Sequence, residues 1–252
     1  MLTKKEMARY DRQIMIPGFG AEGQAKLKKA RVFIAGAGGL GSPAAIYLAA
    51  AGIGTLRIAD HDNVELSNLN RQVLHWEKDI GGEKVASAAA KLKKLNPGIR
   101  IETMGETITE ANAAGLVGDA DLIVDAMDNL PTRYLLNRTA IKKNIPFFHG
   151  AVYGFEGRAM TVIPGRSACL TCLYHGASVP KEKFPVIGVT PAVIGCIQAT
   201  EVIKYITGLG ELLTGRLLNY DGLAMKFTEF NVKRDPGCAD CGRPGTGKIN
   251  ER

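Results

Sequence analysis

Apolar positions along this chain follow two periods. A short, nearly unbroken apolar run stands at Arg31–Ala35 (RVFIA) and reads as a strand buried on both faces of a parallel sheet, and Thr55–Ala59 (TLRIA), Arg100–Met104 and 122–126 read as further strands. Between them lie stretches with helical spacing, at about residues 3–13, 20–29, 39–51, 82–95 and 109–117, the fourth stopped by Asn96-Pro97-Gly98. Strands that alternate with helices make βαβ units and hence a doubly wound sheet.

From about residue 146 the pattern changes. PFFHGAVYGFEGRAMTVIP reads as two strands joined at Gly154 to Gly157, a hairpin, and about 215–220 and 224–230 read as two more strands. The run from about 191 to 206 is apolar almost all round and predicts a buried helix. The expected fold is α/β and Rossmann-like, a mostly parallel sheet continuing into a mixed sheet with antiparallel C-terminal strands and helices on both faces. The 252 residues suit one domain over 1–242, with a nucleotide-binding half at about 30–145, a second half at about 146–242, and a polar tail at 243–252 that is expected to fray.

Composition narrows this picture only slightly. At 46% hydrophobic and 23% charged residues the chain is ordinary for a globular protein. It has no apolar run of membrane-spanning length, and its start, MLTKKEMARYDRQ, is no signal peptide, so a cytoplasmic protein without membrane contact is expected. A net charge of +7 suits a nucleic acid, an acidic protein or an anionic nucleotide. The basic residues are scattered, however, and the densest groups, Lys26/Lys28/Lys29 and Lys91/Lys93/Lys94, read as solvated helix faces, which disfavours nucleic acid.

Candidate chemistry begins directly after the first strand. Gly36, Gly38 and Gly41 form GxGxxG there, giving a tight turn, close approach of phosphate to backbone, and free amides at a helix start. The next strand ends in Asp60, placed to accept hydrogen bonds from ribose hydroxyls. Beyond it the loop HDNVELSNLNRQVLHWEKDIGGEK holds Asn68, Arg71 and Lys84, and an Arg with a Lys suits a triphosphate. The fourth strand brings Asp125 and Asp128 to the same end of the sheet. Asp128 can carry magnesium, with capping of the helix near Pro131 as its other role.

Four of the five cysteines form two CxxC pairs, Cys169/Cys172 and Cys238/Cys241. Two such knuckles close a tetrahedral four-thiolate site, for which zinc is the default metal, in a structural role. Cys196, inside the apolar run, reads as a small core residue.

Taken together, RYDRQ, GAGGLG, Asp60, SNLNRQ, GGEK, DAMDN and the CxxC pairs, in that order from Arg9 to Gly242, resemble the ThiF/MoeB/HesA adenylyltransferases, the bacterial and archaeal relatives of ubiquitin-activating enzymes. The resemblance implies an ATP and Mg²⁺ site in a homodimer. It implies transfer of AMP to the C-terminal glycine of a small ubiquitin-fold sulfur carrier protein, with release of pyrophosphate, for thiamin, molybdopterin or tRNA-thiolation sulfur transfer. On these motifs, Gly39 joins Gly41 in the nucleotide turn, and Ser67, Asn68, Leu69, Asn70 and Arg71 surround the phosphates with Lys84. Asp128 with Asn129 serves magnesium and nucleotide, and Arg12 reaches into the partner's site. Residues 146–242 then bind carrier and zinc.

One departure stands out. Some relatives hold a reactive cysteine in the segment before the long apolar helix, but here that segment reads SVPKEKFPVIGVTP, without one. Adenylation alone, with sulfur supplied by another protein, fits better. The rival readings are an NAD-dependent oxidoreductase, a relative that activates a carboxylate on a tRNA base, and a binding module that has lost activity.

Overall fold

The structure, a computed structural model, describes residues 2–177 and 184–242. Residues 178–183 of the crossing segment and the predicted fraying tail lie outside it. The elements, in order, are α1 Lys4–Arg9, α2 Asp11–Ile14, α3 Gly20–Lys29, β1 Arg31–Ala35, α4 Gly41–Ala51, β2 Thr55–Ala59, α5 Lys84–Leu95, β3 Arg100–Met104, α6 Ala113–Val117, β4 Leu122–Asp125, α7 Leu130–Lys143, β5 Phe147–Tyr153, β6 Glu156–Val162, α8 Leu170–Tyr174, α9 Val189–Thr207, β7 Arg216–Asp221 and β8 Lys226–Asn231.

The eight strands form one sheet in the order β3-β2-β1-β4-β5-β6-β7-β8. Pairings from β3 to β5 are parallel, and those from β5 to β8 are antiparallel. Helices cover both faces. Val32 and Ile34 of β1 point to the layer containing α4, α5 and α9, whereas Phe33 and Ala35 point to the layer of α6, α7 and α8. A strand that feeds two cores has no polar face, which is why β1 reads as an unbroken apolar run. Each such side chain contributes roughly 1.5–3 kcal/mol by burial.

Chain order reverses direction across the sheet between β1 and β4, the point where open α/β sheets hold ligands beyond the carboxyl ends of their strands. Backbone contact fixes this junction. A Cβ on Gly36 (φ 101°) would lie 2.7 Å from the Ala126 carbonyl oxygen, and one on Gly41 would lie 1.9 Å from that of Gly36. Neither position accepts a side chain.

Three elements differ from their sequence reading. The expected helix over 3–13 is two, broken at Tyr10 (φ −104°, ψ 14°). Tyr10 is buried there, its hydroxyl accepting from Asn96 Nδ2 at 2.8 Å. Helix α6 is only one turn and a half, because residues 109–112 form a turn closed by the Asn112 side chain on the Thr109 amide. Helix α9 starts earlier than expected and is not uniformly apolar: Gln198 and Glu201 are buried in it. Gln198 Nε2 donates to the carbonyls of Asp125 and Phe148 (2.7 and 2.8 Å), and Glu201 accepts from Thr161 and the Leu213 amide (2.7 and 2.6 Å), so these polar groups pin the helix to β4, β5 and β6. Cys196 is half-buried and lines a groove with Gln13 and Tyr47, which corrects its reading as a core residue. Among the described residues, no helix is long and apolar enough to cross a membrane.

Candidate functional site

The glycine turn that follows β1 is held by side chains from the neighbouring loops. Asp60, at the end of β2, accepts from the Ala37 amide at 2.8 Å and from the Asp62 amide at 2.9 Å. It is therefore fixed at the rim of the turn with lone pairs to spare for a ribose. Gly38 faces Gln72, and Gly39 lies against Arg71 and Pro191. The loop carrying Arg71 thus folds back onto the glycines.

Within that loop, Leu66–Asn68 form a 3-10 turn. Asn68 is buried, and its Oδ1 accepts from the Glu65 amide at 3.1 Å. Ser67 and Asn70 are exposed, and Leu69 is half-buried. Arg71 spends one guanidinium nitrogen on the Ser67 carbonyl (2.8 Å) and on Asn70 Oδ1 (3.0 Å). Among the described residues nothing pairs with its other nitrogens, so the fork stays available to an anion.

Lys84, read from the sequence as a phosphate ligand, already has a partner. It opens α5, is buried, and forms an ion pair with Asp62 at 2.8 Å. A buried ammonium needs a counter-charge, and Asp62, itself half-exposed, provides one beside the turn. Phosphate oxygens reaching Lys84 would share or displace that carboxylate.

Asp128 is exposed at the end of the β4 loop, within two residues of the Ala126 that contacts the glycines. The alternative capping role belongs to its neighbour: Asn129 Oδ1 accepts from the Thr132 amide at 3.0 Å and caps α7. Among the described residues Asp128 makes one long contact, from Asn129 Nδ2 (3.3 Å), and its carboxylate oxygens suit a hard divalent cation. Arg12 lies apart, on exposed α2, with no hydrogen bond or ion pair among the described residues. Exposed Met15 and Ile16 lie in the turn after α2, and exposed Tyr47 lies on α4.

At the other end of the second layer the two cysteine pairs converge. Cys169 Sγ lies 3.9 Å from Cys172 Sγ and 3.6 Å from Cys238 Sγ, and Cys172 Sγ lies 3.4 Å from Cys241 Sγ. A tetrahedral ion with metal–sulfur bonds of ~2.3 Å spaces its sulfurs ~3.8 Å apart, so the four thiols fit zinc. Burial pushes the Cys241 thiol up to about 11, a penalty that a bound dication reverses. Asp240 accepts from Thr171 (2.5 Å) and Asn137 (3.2 Å), which ties both knuckles to α7.

A family model described as the ThiF family matches residues 10–240. The chain belongs to the ThiF family. Its relatives include a "SAMP-activating enzyme E1" of Haloferax volcanii, 43% identical over 99% of this chain and 94% of that one. A "Sulfur carrier protein adenylyltransferase" of Thermus thermophilus is 42% identical over 95% and 92%. The "Adenylyltransferase and sulfurtransferase MOCS3" of Arabidopsis thaliana is 40% identical, and this chain spans 53% of it. Among solved structures, E. coli MccB with ATP superposes with a TM-score of 0.83 at 27% identity, over 93% of this chain and 74% of that one.

This ThiF-family chain also holds polar residues that no local pattern revealed. Asp125, fully buried, accepts from His149 Nδ1 at 2.7 Å and faces Arg133 Nε at 3.6 Å. Arg133 in turn donates to the carbonyls of Met127 (2.5 Å) and Gly150 (2.9 Å), which holds the residue next to Asp128. Burial lowers the His149 pKa against the opposing pull of the Asp125 carboxylate, which accepts from the Nδ1 N–H. His149 Nε2 meets the Tyr174 hydroxyl at 3.1 Å, on the helix that carries Cys172. The His149 contacts join residues 24 and 25 apart, on different elements, and spacing within one segment cannot signal them. Gln72, buried beside Gly38 with Oε1 unpartnered, was likewise not singled out, although it adjoins Arg71 in SNLNRQ.

Proposed function

We propose that this chain adenylates the C-terminal glycine of a small ubiquitin-fold sulfur carrier protein with Mg·ATP, releasing pyrophosphate. The observation that carries the reading is the loop bearing Arg71 folded against Gly38 and Gly39, beside Lys84 and opposite the Asp128 loop. A dinucleotide site has no use for this many phosphate and metal ligands. The ThiF-family assignment and the relative named as a sulfur carrier protein adenylyltransferase support it further.

In this reading Asp60 holds the ribose. The backbone at Gly36, Gly38, Gly39 and Gly41, with Ser67, Asn68, Leu69 and Asn70, lines the nucleotide. Arg71 and Lys84 draw charge off the phosphates, and Asp128 and Asn129 hold magnesium, which neutralises phosphate charge. The carrier's carboxylate is already a nucleophile. The site therefore needs no general base; it must align that carboxylate with the α-phosphate and stabilise the charge that builds there. Arg12 completes the site of a second copy, and the exposed apolar residues near it support a homodimer. Residues at about 146–242 receive the carrier, and the four cysteines hold a structural zinc. Sulfur comes from a separate protein, since the crossing segment has no cysteine.

Isothermal titration separates this from the rivals. Mg·ATP should bind and NAD should not; NAD affinity without Mg·ATP binding would overturn the reading. Pyrophosphate exchange that responds to tRNA and not to a carrier protein would move the substrate to a tRNA base.

A further inference from the structure

Resting on that function, we infer that His75 is the positioning residue that locks the nucleotide turn, the phosphate loop and the Lys84 helix into one unit, and that it does so only as a neutral imidazole. It is 3% exposed and belongs to the loop that carries Arg71, its amide donating to the Gln72 carbonyl at 2.9 Å. Its Nε2 lies 2.9 Å from the Ala37 carbonyl oxygen in the middle of the glycine turn, and its Nδ1 lies 2.9 Å from Ser87 Oγ, one turn along α5 from Lys84.

The partners dictate the tautomer. A carbonyl can only accept, so Nε2 carries the proton and Nδ1 accepts from the Ser87 hydroxyl. Ser87 Oγ in turn accepts from Lys91 Nζ at 2.7 Å, and Lys91 pairs with Asp79. Lys91 was expected on a solvated face but is turned inward. The Ala37 peptide is gripped on both sides: Asp60 takes its N–H, while His75 and Ser42 Oγ (3.3 Å) donate to its oxygen. One ring thus touches every element proposed to hold phosphate, except the Asp128 loop.

Burial and the two lysines beside the ring oppose a second proton. Lys84 and Lys91 oppose it from α5, while Asp60, at the end of β2, pulls the other way. Burial above all lowers its pKa from the ordinary 6.5. The lock is therefore complete above about pH 6.5 and is lost as pH falls through the lower value of the folded site. On protonation Nδ1 becomes a donor, the Ser87 hydrogen bond must reverse, and a cation appears between two lysines.

The test is calorimetric titration with Mg·ATP at saturating magnesium and without carrier, from about pH 8 to about pH 4.5, extended below the ordinary histidine range because the folded site titrates lower. Wild type, His75→Ala, His75→Gln and, as a control for the exposed histidine near Asp62, His61→Gln are compared, with thermal melts to confirm folding. Wild type and His61→Gln should lose affinity together in acid. His75→Ala should bind about tenfold more weakly at pH 8. His75→Gln, whose amide can still donate to Ala37, should recover part of that affinity and show a flat acid limb. An acid limb in His75→Gln equal to that of wild type, or one abolished by His61→Gln, would overturn the inference while leaving Mg·ATP binding intact. No binding by wild type at pH 8 would remove the adenylation reading itself.

Discussion

The two halves of the molecule solve the problem of holding polar groups in opposite ways. Residues of β1 to β4 sit between two apolar layers, and this half's polar side chains lie in loops at one edge, where they are paired locally: Lys84 with Asp62, Arg71 with Ser67 and Asn70, Asp60 with the turn. The half from β5 to β8 has a thinner core. Almost every residue of β8 is exposed, including Phe227 and Phe230, and the chain after it returns to α8 through four cysteines and Asp240. The first half can thus change loop contacts without losing its sheet. The second depends on a clip.

Breaking the clip should have the largest effect. Cys172→Ser is expected to abolish metal binding and cost on the order of 5 kcal/mol, seen as about one zinc lost per chain by metal analysis and a lower melting temperature by calorimetry. A normal melt in that variant would erase the contrast between the halves.

The loops of the first half should show the reverse, activity lost with stability kept. Arg71→Ala is expected to lower pyrophosphate exchange by about 10²–10³-fold at an unchanged melting temperature. Arg12→Ala should lose exchange comparably while binding Mg·ATP and remaining dimeric. Mixed with Asp128→Ala it should regain part of the activity through hybrid dimers, and failure to complement would remove the role in trans.

Between these lies the network that crosses the boundary. Arg133→Leu leaves Asp125 without its cation and frees the Met127 carbonyl, at a cost of roughly 3 kcal/mol measured by denaturant unfolding. Because that loop also presents Asp128, the KM for Mg·ATP should rise as well. Loss of stability alone would confine the network to the second half.

Smallest is a surface pair outside both. Glu6 is held down to about 2 from 4.5, first by its hydrogen bond to Lys28 and then by the Thr3 amide. A depressed carboxyl stabilises fully above pH 4.5, and that contribution is lost as pH falls toward 2. Exposure keeps it below about 1 kcal/mol. Melts of Glu6→Gln and wild type should differ slightly at neutral pH and converge in acid.

How much of this was legible in the sequence follows from the same contrast. Strands β1, β2 and β3 carry their sequence-read bounds, and β4 ends one residue sooner; β1 and β4 were legible because burial on both faces leaves little but apolar residues in them, whereas β3 is a partly exposed edge strand. The glycine turn, Asp60 and the cysteine pairs were legible because each works through short spacing. What escaped was pairing across distance: Asp62 under Lys84, His75 under Ala37, and Asp125 with His149 and Arg133. Asn129, not Asp128, caps α7, a choice that depends on where the helix begins by a single residue.

The central claim, that the Arg71 loop and glycine turn form a site for attack on the α-phosphate by a protein carboxylate, is tested most directly by ATP–pyrophosphate exchange with a carrier ending in Gly-Gly. The account predicts exchange that requires both magnesium and the intact carrier terminus, and that Arg71→Ala removes. Exchange at the same rate without any carrier terminus, or none with any carrier while wild type remains folded and binds Mg·ATP, would contradict it.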